Sequence, residues 1–358
     1  MKPSRCMRRL VLAFLIATIH PLHLGATEVP VTPSREGPEL FGVDSPVGRI
    51  DYRAGRGLHL GDTGLTIGGY ATTEAERLED RSSAGNLDLN FFLSLDPTSF
   101  LHVFSELEVD ELVLWEGGQH PRADPHFKAE RLYGDATWSD QANLRFGKFL
   151  TPFGRWNQVL ADPLLWTTSE PLIVEEVFPD EVTGAMAWGT LFPAGQALTY
   201  QLYGSFLDRA VSEPVHDGIG ARLEWTGRSG LSIGASYLAS KREHENEWNH
   251  LGGLDAVWQP FRRLELSGEA LVGEGIHEDG GQWGLYLQAV VETVPTLYAV
   301  GRYERYDPPA SHRGIDLFDV GLTWVPRPYL RFKADYRLAD HLDDLSAPGF
   351  RASFSVLF

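Results

Sequence analysis

The side-chain pattern of this 358-residue chain predicts an all-β fold: a transmembrane, antiparallel, up-and-down barrel of about sixteen strands. Three observations carry the prediction. Segments with a period of two recur from Leu65 to the C-terminus, the connections between them alternate short and long, and the N-terminus is built like an export leader.

The leader comes first. Lys2, Arg5, Arg8 and Arg9 precede the apolar run Leu10 to Ile19, which suits a signal peptide and is too short to cross a bilayer as a helix. Leu24-Gly25-Ala26 offers a small-residue cleavage point, so residues 1–26 are expected to be removed. That takes four positive charges from a net −18 and leaves −22. An acidic balance excludes nucleic acid as a partner, because phosphate binding needs basic patches. The single cysteine, Cys6, lies in the leader, which leaves the mature chain without disulfides or thiolate metal sites. Residues 27–62, rich in Pro and Gly and aperiodic, are expected to form a mobile periplasmic lead-in, and residues 63–358 the barrel in the outer membrane.

No later segment has the 18 or more apolar residues of a membrane helix, and in hydrocarbon only helices and closed barrels satisfy their backbone groups. The strand pattern is clearest at the end. On 349–358, Phe350, Ala352, Phe354, Val356 and Phe358 share one face, and Arg351, Ser353 and Ser355 the other. On 330–339, Leu330, Phe332, Ala334, Tyr336 and Leu338 oppose Arg331, Lys333, Asp335 and Arg337. Two such faces need two solvents, lipid outside and water inside. The same reading back along the chain places strands near 65–77, 87–95, 100–114, 127–138, 143–151, 183–192, 197–207, 218–226, 231–240, 248–258, 264–274, 282–293, 297–306 and 315–325. Three spots fit poorly: Leu271 falls on a polar face, Tyr306 breaks the alternation, and 183–192 is weakly patterned, so fourteen or eighteen strands stay open. Short turns such as 96–99, 139–142 and 326–328 alternate with long polar loops, and an even count puts both ends in the periplasm. A soluble propeller would show blade repeats, and none is present. Trp115, Trp138, Trp225, Trp248, Trp258, Trp283 and Trp324 fall near strand ends, as interfacial belts require.

The terminal strand, with Phe354, Val356 and Phe358 alternating to the end, resembles the signature read by the barrel-insertion machinery. The stretch Leu144-Arg-Phe-Gly-Lys-Phe-Leu-Thr-Pro-Phe-Gly154, followed by Asn157 and Asp162-Pro163-Leu164, resembles a segment of outer-membrane porins similar to the phosphate-selective porin group. The resemblance implies a sixteen-stranded pore, frequently a homotrimer, surrounded by outer-membrane lipid and lipopolysaccharide. This chain departs from that group in its sparse lumen cations, so the resemblance supports architecture and leaves the solute open.

The connection 152–182 is the longest, the third outer loop by count, and it is too apolar for a solvated loop: Trp156, Leu160, Leu164, Leu165, Trp166, Leu172, Ile173, Val174, Val177 and Phe178 all need cover. It is expected to fold into the lumen and form a constriction, as the resemblance also implies, with Asp162, Glu170, Glu175, Glu176, Asp180 and Glu181 contributing acids; packing across the mouth or at a trimer interface is the alternative. Alternation adds wall candidates: Glu106, Glu108 and Asp110, opposite Leu107 and Val109, then Arg131, Arg145, Arg222, Arg302 with Glu304, Arg331, Lys333, Arg337 and Arg351. An acidic loop against a basic wall would set a transverse field on polar solutes; pairing of the charges within the wall is the alternative. No Ser-His arrangement stands out around His102. His120/His126 and His244/His250 match no metal spacing, and Gly273-Glu-Gly275 precedes no helix. Neither an enzyme nor a cofactor is expected. Two functions remain: a pore for passive diffusion of small hydrophilic or charged solutes, and a non-conducting structural or partner-binding barrel.

Overall fold

The computed structural model describes residues 38–358 except 80–82, 118, 160–161, 207–214, 243–246, 275–279, 310–313 and 340–346. The leader with Cys6, residues 27–37, Leu160 and His244 lie outside the described residues.

Sixteen antiparallel strands close on themselves. They are β4 (Leu65–Leu78), β5 (Ser83–Thr98), β6 (Leu101–Glu116), β7 (His126–Thr137), β8 (Asn143–Leu150), β9 (Glu181–Leu191), β10 (Ala197–Ser205) and β11 (Val215–Thr226), then β12 (Leu231–Arg242), β13 (Asn249–Phe261), β14 (Leu264–Glu274), β15 (Gly281–Val294), β16 (Leu297–Asp307), β17 (Ile315–Arg327), β18 (Leu330–Ala339) and β19 (Gly349–Leu357). Each pairs with its sequence neighbours, and β19 pairs with β4 from Gly349↔Leu78 to Leu357↔Tyr70. Every predicted strand is present, with ends within a few residues. Closure leaves no unpaired edge in the wall, which a membrane demands.

The two faces separate as two solvents require. Leu107, Leu132, Phe146, Leu223, Leu254, Leu287 and Leu322 are exposed on the outer face. Their neighbours in sequence, Glu106, Arg131, Arg145, Arg222, Asp255, Gln288 and Thr323, point inward. At the short-turn rim Trp138, Trp258 and Trp324 stand exposed, and at the long-loop rim Trp248 and Trp283, so the aromatic residues form two girdles. An outward row of stacked rings, Trp324–Phe332–Phe354, with centroids 5.1 and 4.6 Å apart, ties three neighbouring strands together near the seam. The seam ends in a reciprocal pair: Gly69 N–H donates to Phe358 O (2.9 Å) and Phe358 N–H to Gly69 O (2.8 Å).

Alternation fails in β6 for a local reason. Leu87 pairs with Val113 and Leu89 with Val109, so residues 110–112 stand opposite Asp88 alone. Glu111 has φ +53°, and its N–H donates to Asp88 (2.8 Å). The register from Val103 to Val109 is unbroken, so Val109 keeps the face of Leu107 and the alternation is interrupted only beyond it.

The segment before the barrel departs from the expected aperiodic lead-in. Residues 38–60 form β1 (Glu39–Ser45), β2 (Gly48–Arg53) and β3 (Gly57–Leu60). β1 and β2 make a hairpin, and β3 pairs with the start of β4 through Leu58↔Ile67 and His59↔Thr66. β19 releases β4 at Tyr70, so the first residues of β4 have a free ladder on that side, and β3 occupies it. Strands this short show too few residues for a period of two to be recognised.

Candidate functional site

The candidate site is the lumen and the connection from β8 to β9. The chain turns inward at the motif 144–154. Gly147 has φ +126°, and a Cβ there would sit 2.2 Å from Leu132 O. Gly154 has φ +63°, and a Cβ would meet the Glu269 carboxylate at 2.1 Å. Only glycine fits either place. Between them Phe149 and Phe153 are fully buried, and Phe153 meets Phe178, at the far end of the connection, with rings 4.8 Å apart. Asn157 clasps the base of the loop, its Nδ2 donating to Thr151 O (2.8 Å) and Asp180 O (2.9 Å).

The loop lies within the barrel. Trp156, Leu165, Leu172, Ile173, Val174, Val177 and Phe178 are buried in one cluster with wall residues that include Tyr203, Leu238, Leu251, Leu271, Tyr286, Tyr306 and Leu317. Trp156 meets Tyr286 edge-on at 5.6 Å. Leu164 packs with Tyr70 and Phe92 against the other wall. This settles two of the three misfits in the strand pattern. Leu271 and Tyr306 face a lumen that is locally apolar, because the loop fills it. One short helix, α1 (Leu172–Glu176), forms where the apolar run meets β15 and β16.

Loop and wall are joined by charge-assisted hydrogen bonds to backbone groups. Glu269 accepts the N–H groups of Arg155 (2.9 Å) and Trp156, and the Tyr286 hydroxyl (2.9 Å). Glu304 accepts Leu172 N–H (2.7 Å), and Asp335 accepts Thr168 N–H (2.8 Å). In the opposite sense, Arg331 donates to Leu165 O (2.8 Å), Lys333 to Thr167 O (3.1 Å) and Arg302 to Ser169 O (2.9 Å). An irregular loop has unpaired peptide groups that cannot be left dry; here the wall's charges satisfy them.

The candidates therefore fall into groups. Arg302 and Arg337 share Asp319 (2.7 and 2.9 Å), Arg302 also meets Glu304 (2.8 Å), and both reach Ser169 Oγ (2.9 and 2.8 Å). Lys333 pairs with Asp162, which also accepts from Ser355 (3.0 Å). Arg331 lies over the Trp166 ring, 4.8 Å from its centroid. These cations are beneath the loop. Elsewhere Arg131 pairs with Glu106 (2.5 Å), Arg145 with Asp135 (2.7 Å), and Arg222 with Glu224 (2.8 Å) and Asp255, all within the wall. Of the loop acids, Glu175 and Glu176 are half-buried on α1, Asp180 and Glu181 are buried near the loop base, and Lys128 reaches Glu181 at 3.2 Å. Glu108 and Asp110 lie on the wall where β6 bulges.

A recess lies between the Thr168–Ser169 turn and β4, β5 and β19, lined by Glu74, Glu76 and Arg351. Arg351 approaches Glu76 at 3.7 Å. Sequence reasoning missed Glu269, Glu265, Asp319, Asp335, Thr167 and Ser169. Alternation places the wall acids on the lumen face, but nothing local pairs them with a loop about a hundred residues away.

No family model matches the chain. It is 24% identical over 355 residues to an uncharacterized protein of Aquifex aeolicus (strain VF5), covering 82% of this chain and 80% of that protein. Among solved structures, Salmonella typhi OmpF, in complex with daunomycin, superposes with a TM-score of 0.60 at 12% identity, over 84% of this chain and 99% of that one. The anion-selective porin from Comamonas acidovorans superposes with a TM-score of 0.58 at 14% identity, over 82% and 98%. The chain has the fold of the porins: a closed transmembrane barrel, here of sixteen strands, with the third long loop turned inside.

Proposed function

We propose that this protein is a channel of the bacterial outer membrane for passive diffusion of small hydrophilic or charged solutes. The observation that carries the reading is a closed wall, apolar outside and charged inside, narrowed by a loop whose peptide groups that wall holds. Nothing about such a wall calls for a reaction, so the protein is read as a transporter and not an enzyme. Lipid and lipopolysaccharide contact the outer face, the insertion machinery reads Phe354, Val356 and Phe358, and three copies form a homotrimer, as in the group that the 144–154 motif resembles. The finer likeness to phosphate-selective porins rests on that motif alone. Arg302, Arg331, Lys333 and Arg337 lie beneath the loop, which weighs against phosphate as the solute.

A second reading is favoured by one observation. The loop packs on both walls, with Leu164 against Tyr70 and Phe92 as well as the main apolar cluster. A lumen filled to that extent suits a non-conducting barrel that serves structure or binds a partner. Purified protein in a planar bilayer separates the two. Stable ohmic steps are expected of the channel; silence, with insertion verified by protease protection, would support the second reading.

A further inference from the structure

We propose that the β1–β3 sheet rests on the membrane, its apolar face continuing the lipid-facing surface of the barrel into the headgroup boundary of the leaflet at the short-turn rim. The inference uses the outer surface alone and holds for a conducting or a silent barrel.

It begins on the wall. Ile67 of β4 and its partner Leu93 of β5 are exposed on the outer face. Cross-strand partners share a face of a sheet. Leu58 of β3 pairs with Ile67, Tyr52 of β2 with Leu58, and Phe41 of β1 with Tyr52. One step along the same strands, Leu60 pairs with Ile50 and Ile50 with Val43. With a period of two, both rows lie on the side of Ile67. The apolar outer surface therefore runs without a break from the barrel onto the sheet. Phe91 and Phe358, with rings 6.0 Å apart, adjoin it on the wall.

The other face of the sheet is charged. Arg49 pairs with Glu39 and lies 3.7 Å from Asp44, and Arg53 donates to Asp51 (3.0 Å). His59 stands between Asp51 and Thr66 in the ladder. The side chains of Arg49 and Asp44 are 52% and 90% exposed, so this face is in water. On the apolar face Phe41 and Val43 are 52% and 45% exposed, which water does not favour.

A single layer with one charged and one apolar face is stable where two solvents meet. The occupant of the apolar face is lipid, because the surface it prolongs already faces lipid. The sheet is also held close to the membrane. β3 takes the ladder that β19 vacates, and Gly55, in the turn between β2 and β3, lies against Tyr329 in the β17–β18 turn. The charged face keeps the sheet from the hydrocarbon, and Tyr52 has the amphipathic ring that suits headgroup depth.

The test is fluorescence quenching of the purified mature protein in phosphatidylethanolamine–phosphatidylglycerol vesicles, with insertion verified by heat-modifiable migration. Cys6 is expected to leave with the leader, so Val43→Cys and Asp44→Cys each supply one thiol for a bimane label. Lipid brominated in its acyl chains is expected to quench the label at 43 several-fold more than at 44. Iodide, equilibrated across the vesicles, is expected to show the reverse. Leu58→Cys and His59→Cys repeat the contrast on β3, so the result does not depend on one pair of variants. Equal quenching by iodide at both positions, with no effect of brominated lipid, would place the sheet in water and overturn the proposal. A label at 43 that neither quencher reaches would also overturn it, since a second copy or another protein would then cover the face.

Discussion

The two sides of the lumen use the same residue types for different ends. On β16–β18, arginine, lysine and carboxylates meet across strands and then reach the loop: Arg302 to Ser169, Lys333 to Asp162, Glu304 to the Leu172 amide. On β4, Glu74 and Glu76 line a recess. The first arrangement is structural, because each charge is dry and satisfied by fixed partners, and the second borders the recess beside the Thr168–Ser169 turn. Alternation in the sequence makes both look alike. What distinguishes them is the loop.

Removing the loop should have the largest effect. Replacing residues 155–178 by a short Gly/Ser linker opens the lumen and uncovers the cations of β16–β18. Single-channel conductance is expected to rise several-fold, and ion preference to move toward anions. Unchanged conductance would mean that the loop does not obstruct the path. Next in size is Lys333→Met, which strands Asp162 as a buried charge and should cost about 3–5 kcal/mol of stability. Asp162→Leu added to it should restore most of the loss, measured by urea titration in micelles; equal losses in the single and double variants would show that the pair does not couple loop to wall. Glu269→Leu follows, since it leaves the amides of Arg155 and Trp156 and the Tyr286 hydroxyl without their acceptor, at about 1–3 kcal/mol for each stranded group. The accompanying signature is current noise from a loosened loop.

The strands were legible because membrane and lumen impose opposite demands on adjacent residues. β18 and β19 show this without a break, and their ends match the structure closely. β9 read weakly because Glu181, Val182, Thr183 and Gly184 are all buried at the loop's base, which removes the contrast between faces. Leu271 and Tyr306 looked like errors and were the one sequence trace of the loop's apolar landing site. The β6 bulge was not legible, since a positive φ at Glu111 follows from the closure of the ladder around Asp88 and from no local motif. β1–β3 were missed because their ladder exists only where β19 stops. At the candidate site, the residues could be assigned to the lumen face, but their roles could not be separated. Arg331 and Arg351 share one pattern in sequence; one donates to a loop carbonyl and the other lines the recess.

The account turns on the Thr168–Ser169 turn standing in the path of the solute. The mature chain is expected to have no cysteine, so Thr168→Cys introduces a unique thiol. The current through this variant, recorded before and after reaction with a small positively charged thiol reagent, tests the placement directly. The account predicts that the thiol reacts from the aqueous side and that potassium conductance falls in discrete steps. Complete modification, verified by mass, with conductance unchanged would contradict it.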